Sequence, residues 1–276
     1  MRETQKNISE QLHVDISQSA SSEIERRINF LVDYALSIPN CLGFVLGISG
    51  GQDSTLAGRL AQLAVERMRA TRAEAKFIAV RLPYKHQIDK DDAIEALEFI
   101  NPDESFVVQI ENAVDDLVDS VEKGIKQKVS DFNKGNVKAR MRMVVQYAIA
   151  GDQNLLVVGS DHAAEAITGF FTKFGDGAAD VIPLSGLTKR QGAQMLEALG
   201  APSKLWQKIP TADLLDGIPG ESDEKALGVT YNEIDDYLEG LEVSAEAARV
   251  LEQKYKVSSH KRYMPVGPRD DWWKND

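Results

Sequence analysis

The segment from Gly47 to Ser54 combines residue types that suit phosphate binding; it reads Gly47-Ile48-Ser49-Gly50-Gly51-Gln52-Asp53-Ser54. Adjacent glycines and small hydroxyls let consecutive backbone N–H groups point at one anion, and the helix predicted to follow adds its positive end. A carboxylate beside phosphates is favourable when a divalent cation bridges the two. No lysine follows Gly51, so the segment is not a Walker A loop, and its glycine spacing does not fit G-x-G-x-x-G. We therefore expect an anion site of another kind.

A second polar group, Ser160-Asp161-His162, follows a later predicted strand, and Glu165 lies one turn into the next helix. Because ligands bind at the carboxyl ends of parallel strands, this group should face the first loop. Asp53 and Glu165 could then hold one Mg²⁺ against bound phosphates from two sides, although Glu165 could also be a solvated helix residue. His162 and Glu165 form an H-x-x-E pair, but the second such half that a metal site would need is absent, so we interpret His162 as structural.

Two lysines, Lys173 and Lys189, stand where they could contact an anionic ligand. The segment Gly169–Gly177 places three aromatic residues and Lys173 between glycines. The aromatic rings could sandwich an adenine or pack in the core, and Lys173 could meet a carboxylate or a phosphate. Lys189 opens a predicted helix, where it could contact a phosphate or be solvated.

The elements that must position these residues alternate between strands and helices. Short apolar runs predict strands at Gly43–Ile48, Phe77–Leu82, Ser105–Ile110 and Leu155–Gly159, with a fifth candidate at Val181–Leu184. Helical patterns separate them, at 24–38, 54–68, 91–99, 113–126 and 137–150. This alternation predicts a doubly wound, mostly parallel, five-stranded α/β sheet of Rossmann-like type, flanked by helices.

From about residue 187 the pattern is helical, with candidates at 188–199, 231–238 and 245–255 and a Gly- and Pro-rich loop at 200–220. No linker or repeat interrupts the chain, so we expect one domain over 1–276.

Composition narrows the function. The 276 residues carry a net charge of −11, which disfavours a general nucleic-acid binder. One cysteine, Cys41, excludes an intrachain disulfide framework and a cysteine-based zinc site. No signal peptide and no apolar run of about 18 residues are present, so we expect a cytoplasmic protein without membrane contact.

The Ser-Gly-Gly-x-Asp-Ser loop resembles the pyrophosphatase loop of the adenine nucleotide alpha hydrolase superfamily, whose members cleave ATP between its α and β phosphates and adenylate an acceptor. Three longer blocks, Leu156–Gln191, Asp131–Arg140 and His260–Arg262, resemble ammonia-dependent NAD synthetases, and the likeness extends from about Gln11 to Lys274. It implies Mg²⁺-dependent amidation of deamido-NAD (nicotinic acid adenine dinucleotide) by ammonia, with ATP as co-substrate. The products are NAD⁺, AMP and pyrophosphate.

The resemblance also implies residue roles. ATP contacts match Gly47 to Ser54, Ser160, Lys189 and Thr211, and Mg²⁺ ligands match Asp53 and Glu165. Ser49 and Lys189 would stabilise the departing pyrophosphate, and Asp176 matches a carboxylate suspected of taking a proton from ammonia. Residues matched to deamido-NAD contacts are Arg140, Lys173, Asp180, His260 and Lys261, with Phe132 and Phe170 at its adenine and Tyr34 and Tyr147 near its nicotinate.

The family likeness further implies a homodimer with the dinucleotide near the interface, for which the helix at 137–150 is a candidate. Loops near Pro83–Lys90 and Leu205–Glu224 would close over ATP. The chain departs from the usual family pattern at Ser160, Lys85 and Pro268-Arg269. Only 42 residues precede the first strand, which implies free ammonia and no fused glutaminase domain. A tRNA-thiolating ligase and a non-catalytic ATP sensor are the alternatives.

Overall fold

The computed structural model describes residues 2–85, 90–207 and 222–274. The first part of the chain contains α1 Glu3–Gln11, α2 Ala20–Ser37, β1 Gly43–Gly47, α3 Gln52–Met68, β2 Lys76–Arg81, α4 Lys90–Ile100, β3 Glu104–Val107, α5 Glu111–Ile125, α6 Asp131–Gln153 and β4 Leu156–Val157. The second part contains α7 Ala163–Thr168, α8 Lys189–Ala198, α9 Lys204–Gln207, α10 Asp223–Leu227, α11 Tyr231–Leu238, α12 Ala245–Val257, α13 Ser259–Arg262 and a 3-10 turn at Trp272–Lys274.

In the part of the chain that the structure describes, four parallel strands form the sheet, in the order β3-β2-β1-β4. The parallel α/β prediction is confirmed, but the prediction of five strands is wrong. Within the described residues, the fifth candidate contributes one bridge, between Val158 and Val181. Pro183 follows two residues later and has no N–H to donate to a ladder, so the segment turns away from β4.

The central strands β1 and β2 are buried on both faces, to which alternate residues point, whereas the edge strand β3 is largely exposed. Phe44 and Leu46 of β1 pack in a cluster with α2, α3 and α8. Val45 of β1 and Ile78 of β2 pack in a cluster with α5 and α6. A third cluster joins α1, α7, α11 and α12. The helices therefore cover the sheet on two sides, as a doubly wound fold requires.

Several helices differ from the prediction: α9 lies within the segment predicted as a loop at 200–220, and neither α10 nor α13 was predicted. Helix α1 lies where the sequence predicted no element, because it has too few apolar residues to give a helical pattern. It is tied to the end of α11 by Gln5, which donates hydrogen bonds to Tyr237 O and Leu241 O. Helix α6 begins at Asp131 rather than at Val137, because the Ser130 hydroxyl accepts the N–H of Asn133 and caps an earlier start.

The topology creates a crevice at the carboxyl end of β1. This strand pairs with β2 on one side and with β4 on the other, so the connections leaving β1 and β4 diverge there. Such a switch point is where open α/β sheets bind ligands. None of the helices in the described ranges has both the length and the apolar character needed to span a bilayer.

Candidate active site

The loop between β1 and α3 is shaped by close packing and small hydroxyls. Gly50 has φ +90°, and a Cβ there would lie 2.6 Å from the backbone nitrogen of Ala93, so only glycine fits. Ser49 Oγ lies 3.0 Å from Ser54 Oγ and accepts the N–H of Gly51 at 3.2 Å. Gly51 is the N-cap of α3 and has no side chain to accept the first N–H groups of that helix. These groups can therefore serve an anion.

An ion pair joins this loop to α8. Lys189 Nζ donates to Asp53 Oδ2 at 2.7 Å, with the lysine and aspartate side chains 10% and 21% exposed. Burial alone would lower the pKa of Lys189, but Asp53 and Glu165 raise it above its usual range. Burial alone would raise the pKa of Asp53, but Lys189 and His162 hold it below its usual range. Both groups are therefore charged at neutral pH.

Glu165 and His162 complete a group around Asp53. His162 Nε2 lies 3.4 Å from Asp53 Oδ1 and 3.7 Å from Glu165 Oε2, and one ligand atom from each of the three residues lies within 4.8 Å of the others. Burial, followed by the charges of Asp53 and Asp161, raises the pKa of Glu165. Burial and the charges of Asp176 and Asp53 also raise the pKa of Asp161, to about 8. Crowded carboxylates of this kind favour a bound cation, so the donors fit a divalent ion.

Asp235, which the sequence analysis did not single out, holds Lys189 in place. Its carboxylate accepts the N–H groups of Lys189 and Arg190 at 3.0 and 2.7 Å, at the start of α8. Gln52 donates to the carbonyl oxygen of Lys189 at 2.8 Å, which ties α8 to α3. Asp235 is 2% exposed, and burial raises its pKa to about 6 against the effect of the two N–H donors. It lies on α11, 46 residues away, and no spacing rule could have found it.

Replacing Asp235 with alanine should lower the free energy of unfolding by about 2–4 kcal/mol, because two N–H groups lose a buried acceptor. Chemical denaturation measures this change. The matched control is Asp236→Ala on the same helix: Asp236 pairs with Arg190 at 2.8 Å but is 34% exposed, so about 0–1 kcal/mol is expected. Equal losses in the two variants would show that Asp235 has no special role.

A family described as NAD synthase matches residues 23–265. The chain belongs to the NAD synthase family. It is 59% identical to the NH(3)-dependent NAD(+) synthetase of Bacillus velezensis over 98% of this chain and 99% of the relative.

Solved structures agree with the family. The NAD⁺ synthetase of Burkholderia pseudomallei superimposes with a TM-score of 0.81 at 45% identity, over 95% of this chain and 96% of that one. The NMN synthetase of Francisella tularensis superimposes with a TM-score of 0.80 at 35% identity, over 92% and 100%. These two structural neighbours are thus named as an NAD⁺ synthetase and an NMN synthetase.

Four basic residues predicted from the NAD synthase resemblance lie together. Arg140 of α6 donates to Lys173 O at 3.1 Å, and Lys173 Nζ donates to His260 O. Lys261 Nζ donates to Gly169 O and Phe171 O at 2.8 Å each. We call Arg140, Lys173, His260 and Lys261 the basic cluster; α6, the 169–177 loop and α13 contribute to it. In a chain of net charge −11, such a local positive group can attract an anionic ligand.

The remaining predicted residues fall into separate places. Tyr147 donates to Asp180 Oδ1 at 3.4 Å, and Asp180 Oδ2 accepts the N–H of Val157 at 2.8 Å, so both lie beside β4. Asp176 accepts the N–H of Thr172 at 2.8 Å.

The other aromatic residues and the last ATP candidates lie apart from one another. Phe170 packs partly against the helical cluster, whereas Phe132 is 69% exposed. Tyr34 stacks on Phe30 along α2. Ser160 lies three residues after the end of β4 and is partly exposed. Thr211 lies outside the described residues, as do residues 86–89 of the first loop and 208–221 of the second.

Proposed function

We propose that this protein amidates deamido-NAD with ammonia, using ATP and releasing NAD⁺, AMP and pyrophosphate. The observation that carries the proposal is the partly buried ion pair between Asp53, at the start of α3, and Lys189, with Glu165 beside Asp53. The pair brings a lysine and two carboxylates to the glycine-rich loop between β1 and α3, in a chain 59% identical to an NH(3)-dependent NAD(+) synthetase. Such a group suits transfer at a nucleotide phosphate.

In the first step, a carboxylate oxygen of the nicotinate attacks the α-phosphorus of ATP. The bond from the α-phosphorus to the bridging oxygen breaks, and pyrophosphate leaves. The N–H groups of α3, the Ser49 hydroxyl and the Lys189 ammonium stabilise the charge on that leaving group. Asp53 and Glu165 would hold Mg²⁺, which neutralises phosphate charge when bound.

In the second step, ammonia attacks the carbonyl carbon of the adenylate, and AMP leaves with the carboxylate oxygen it gained. The nitrogen must lose a proton, and Asp176 is the candidate base because burial raises the pKa of its carboxyl and so favours the uptake of a proton. The basic cluster would bind the pyrophosphate of the dinucleotide, with Phe132 and Phe170 at its adenine and Tyr147, Asp180 and Tyr34 toward its nicotinate.

We also propose that two copies associate through α5 and α6. Only four of the 23 residues of α6 are buried, and Val144 on it is 52% exposed. On α5, Leu117, Val121 and Ile125 are 40–59% exposed. Exposed apolar side chains on two neighbouring helices favour contact with a second copy of the chain. This face includes Phe132 and Tyr147, so the dinucleotide would bind near the interface.

Light scattering should give a mass of about twice 30.5 kDa for the protein. The variant Val144→Glu should shift the mass toward the monomer, because it places a buried charge in each half of a symmetric interface. Leu241→Glu is the matched control, since Leu241 is 50% exposed in the turn after α11, away from this face. A monomeric wild type would contradict the proposal.

We infer one domain over 1–276, since Gln52 of α3 donates a hydrogen bond to Lys189 O of α8 and so connects the sheet region with the helical part. Free ammonia as nitrogen source is supported by the name of a relative that matches over 99% of its own length. ATP and ammonia as substrates also suit a cytoplasmic enzyme.

The test measures pyrophosphate and NAD⁺ from purified protein with ATP, Mg²⁺ and ammonium. Deamido-NAD is added, omitted or replaced by the nicotinate mononucleotide, because one structural neighbour is an NMN synthetase. We expect pyrophosphate release that requires deamido-NAD and matches NAD⁺ formation. Faster release with the mononucleotide would reassign the substrate. ATP binding without release would favour the ATP sensor, and release with tRNA alone would favour the thiolating ligase.

A further inference from the structure

The imidazole of His162 is buried, and among the described residues the nearest charged groups to its Nε2 are two carboxylates beyond hydrogen-bond geometry. The residue is 3% exposed, and neither Nδ1 nor Nε2 has a hydrogen-bond partner within the described ranges. Leaving a buried polar atom unsatisfied costs about 1–3 kcal/mol, so such atoms usually indicate a missing ligand. Nε2 faces Asp53 Oδ1 at 3.4 Å and Glu165 Oε2 at 3.7 Å.

The two oxygens of Asp53 face different partners. Oδ2 accepts the 2.7 Å hydrogen bond from Lys189, while Oδ1 points toward His162. The ion pair with Lys189 therefore leaves Oδ1 available to a second group. His162 is the N-cap of α7 and Glu165 is the third residue of that helix, so their side chains meet on one side of its first turn.

We propose that His162 Nε2 is a third protein ligand of the divalent cation, beside Asp53 Oδ1 and Glu165 Oε2. This inference rests on the cation site of the proposed function and adds a nitrogen donor to it. Mg²⁺ prefers oxygen ligands, whereas first-row transition cations also accept imidazole nitrogen. The site should therefore bind Mn²⁺ at least about tenfold more tightly than Mg²⁺. From the sequence, His162 is interpreted as structural because no second H-x-x-E half is present. In the structure, Asp53 of α3 lies beside the pair and offers the further ligand atom.

The direct test is the electron spin echo envelope modulation of substoichiometric Mn²⁺ added to the full-length protein without nucleotide. Coupling to an imidazole nitrogen is expected, and it should change when the protein carries ¹⁵N-labelled histidine. Bound Mn²⁺ without histidine coupling, or no bound Mn²⁺ at millimolar concentration, would overturn the proposal. Because nothing turns over, failure of the synthetase reaction would leave this result unchanged.

Variants assign the signal to one residue. His162→Gln should remove the nitrogen coupling and weaken Mn²⁺ binding by at least about tenfold, with a smaller effect on Mg²⁺. His13→Gln is the matched control, because His13 is exposed after α1 and should retain the coupling. Retention of the coupling in His162→Gln would overturn the assignment. The wild-type spectrum decides the proposal even if that variant fails to fold.

Discussion

Asp53→Asn should reduce deamido-NAD-dependent pyrophosphate release by at least about a thousandfold. The substitution keeps the size of the side chain but removes the charge that pairs with Lys189 at 2.7 Å and that would bind the cation. Lys189 then loses its orienting partner, and the phosphates lose their bridge to the protein. Steady-state release at saturating ATP measures the effect.

Asp152→Asn is the matched control for this variant, because Asp152 is exposed in the last turn of α6 and should change the rate less than about twofold. Thermal melting separates loss of chemistry from loss of fold. Asp53→Asn removes one of several crowded carboxylates and should melt within a few degrees of the wild type. An Asp53→Asn protein that retained a tenth of the wild-type rate would contradict the assignment of Asp53.

Lys189→Met should lower kcat about 100–1000-fold with a smaller change in the KM for ATP, because its ammonium would act on charge that develops as pyrophosphate leaves. Methionine preserves most of the buried stem, so the packing of α8 should survive. The raised pKa of Lys189 keeps it charged across the working pH range, and its contribution should not titrate near neutrality. The kcat of both proteins should be compared at several pH values.

Lys204→Met provides the control for Lys189. Lys204 also forms ion pairs, at 2.8 Å with Asp92 and 3.0 Å with Glu95, but it is 57% exposed and lies on α9. Its substitution should leave kcat within about twofold. If Lys189→Met raised the KM for ATP while kcat stayed unchanged, Lys189 would serve in ground-state binding and not in the departure of pyrophosphate.

The strands and the glycine-rich loop of this site could be predicted from the sequence because they depend on local patterns. The apolar runs before Gly47 and Ser160 predict parallel strands, and the carboxyl ends of such strands meet at one edge of a sheet. The proximity of Asp53 and Glu165 follows from that topology, and the structure confirms it. The glycine-rich loop could also be predicted from the sequence, since Gly50 has a backbone conformation that only glycine tolerates there.

The remaining features depend on contacts between distant segments, which spacing does not record. Asp235 lies on α11 and reaches the start of α8 only through the packing of the two helices. Spacing could not place His162 next to Asp53 either, because Asp53 is 109 residues earlier in the chain. Among the described residues, the fifth strand is absent for a local reason. The run at 181–184 is apolar, but Pro183 within it has no N–H to donate to a neighbouring strand.

The most direct test of the central claim follows the carboxylate oxygen. Deamido-NAD with an ¹⁸O-labelled nicotinate carboxylate is converted with ATP and ammonium, and the AMP and pyrophosphate are analysed by mass spectrometry. If the carboxylate attacks the α-phosphorus, as proposed for this loop, AMP carries one ¹⁸O and pyrophosphate carries none. Label in pyrophosphate or inorganic phosphate, or unlabelled AMP beside labelled water, would contradict an adenylated intermediate.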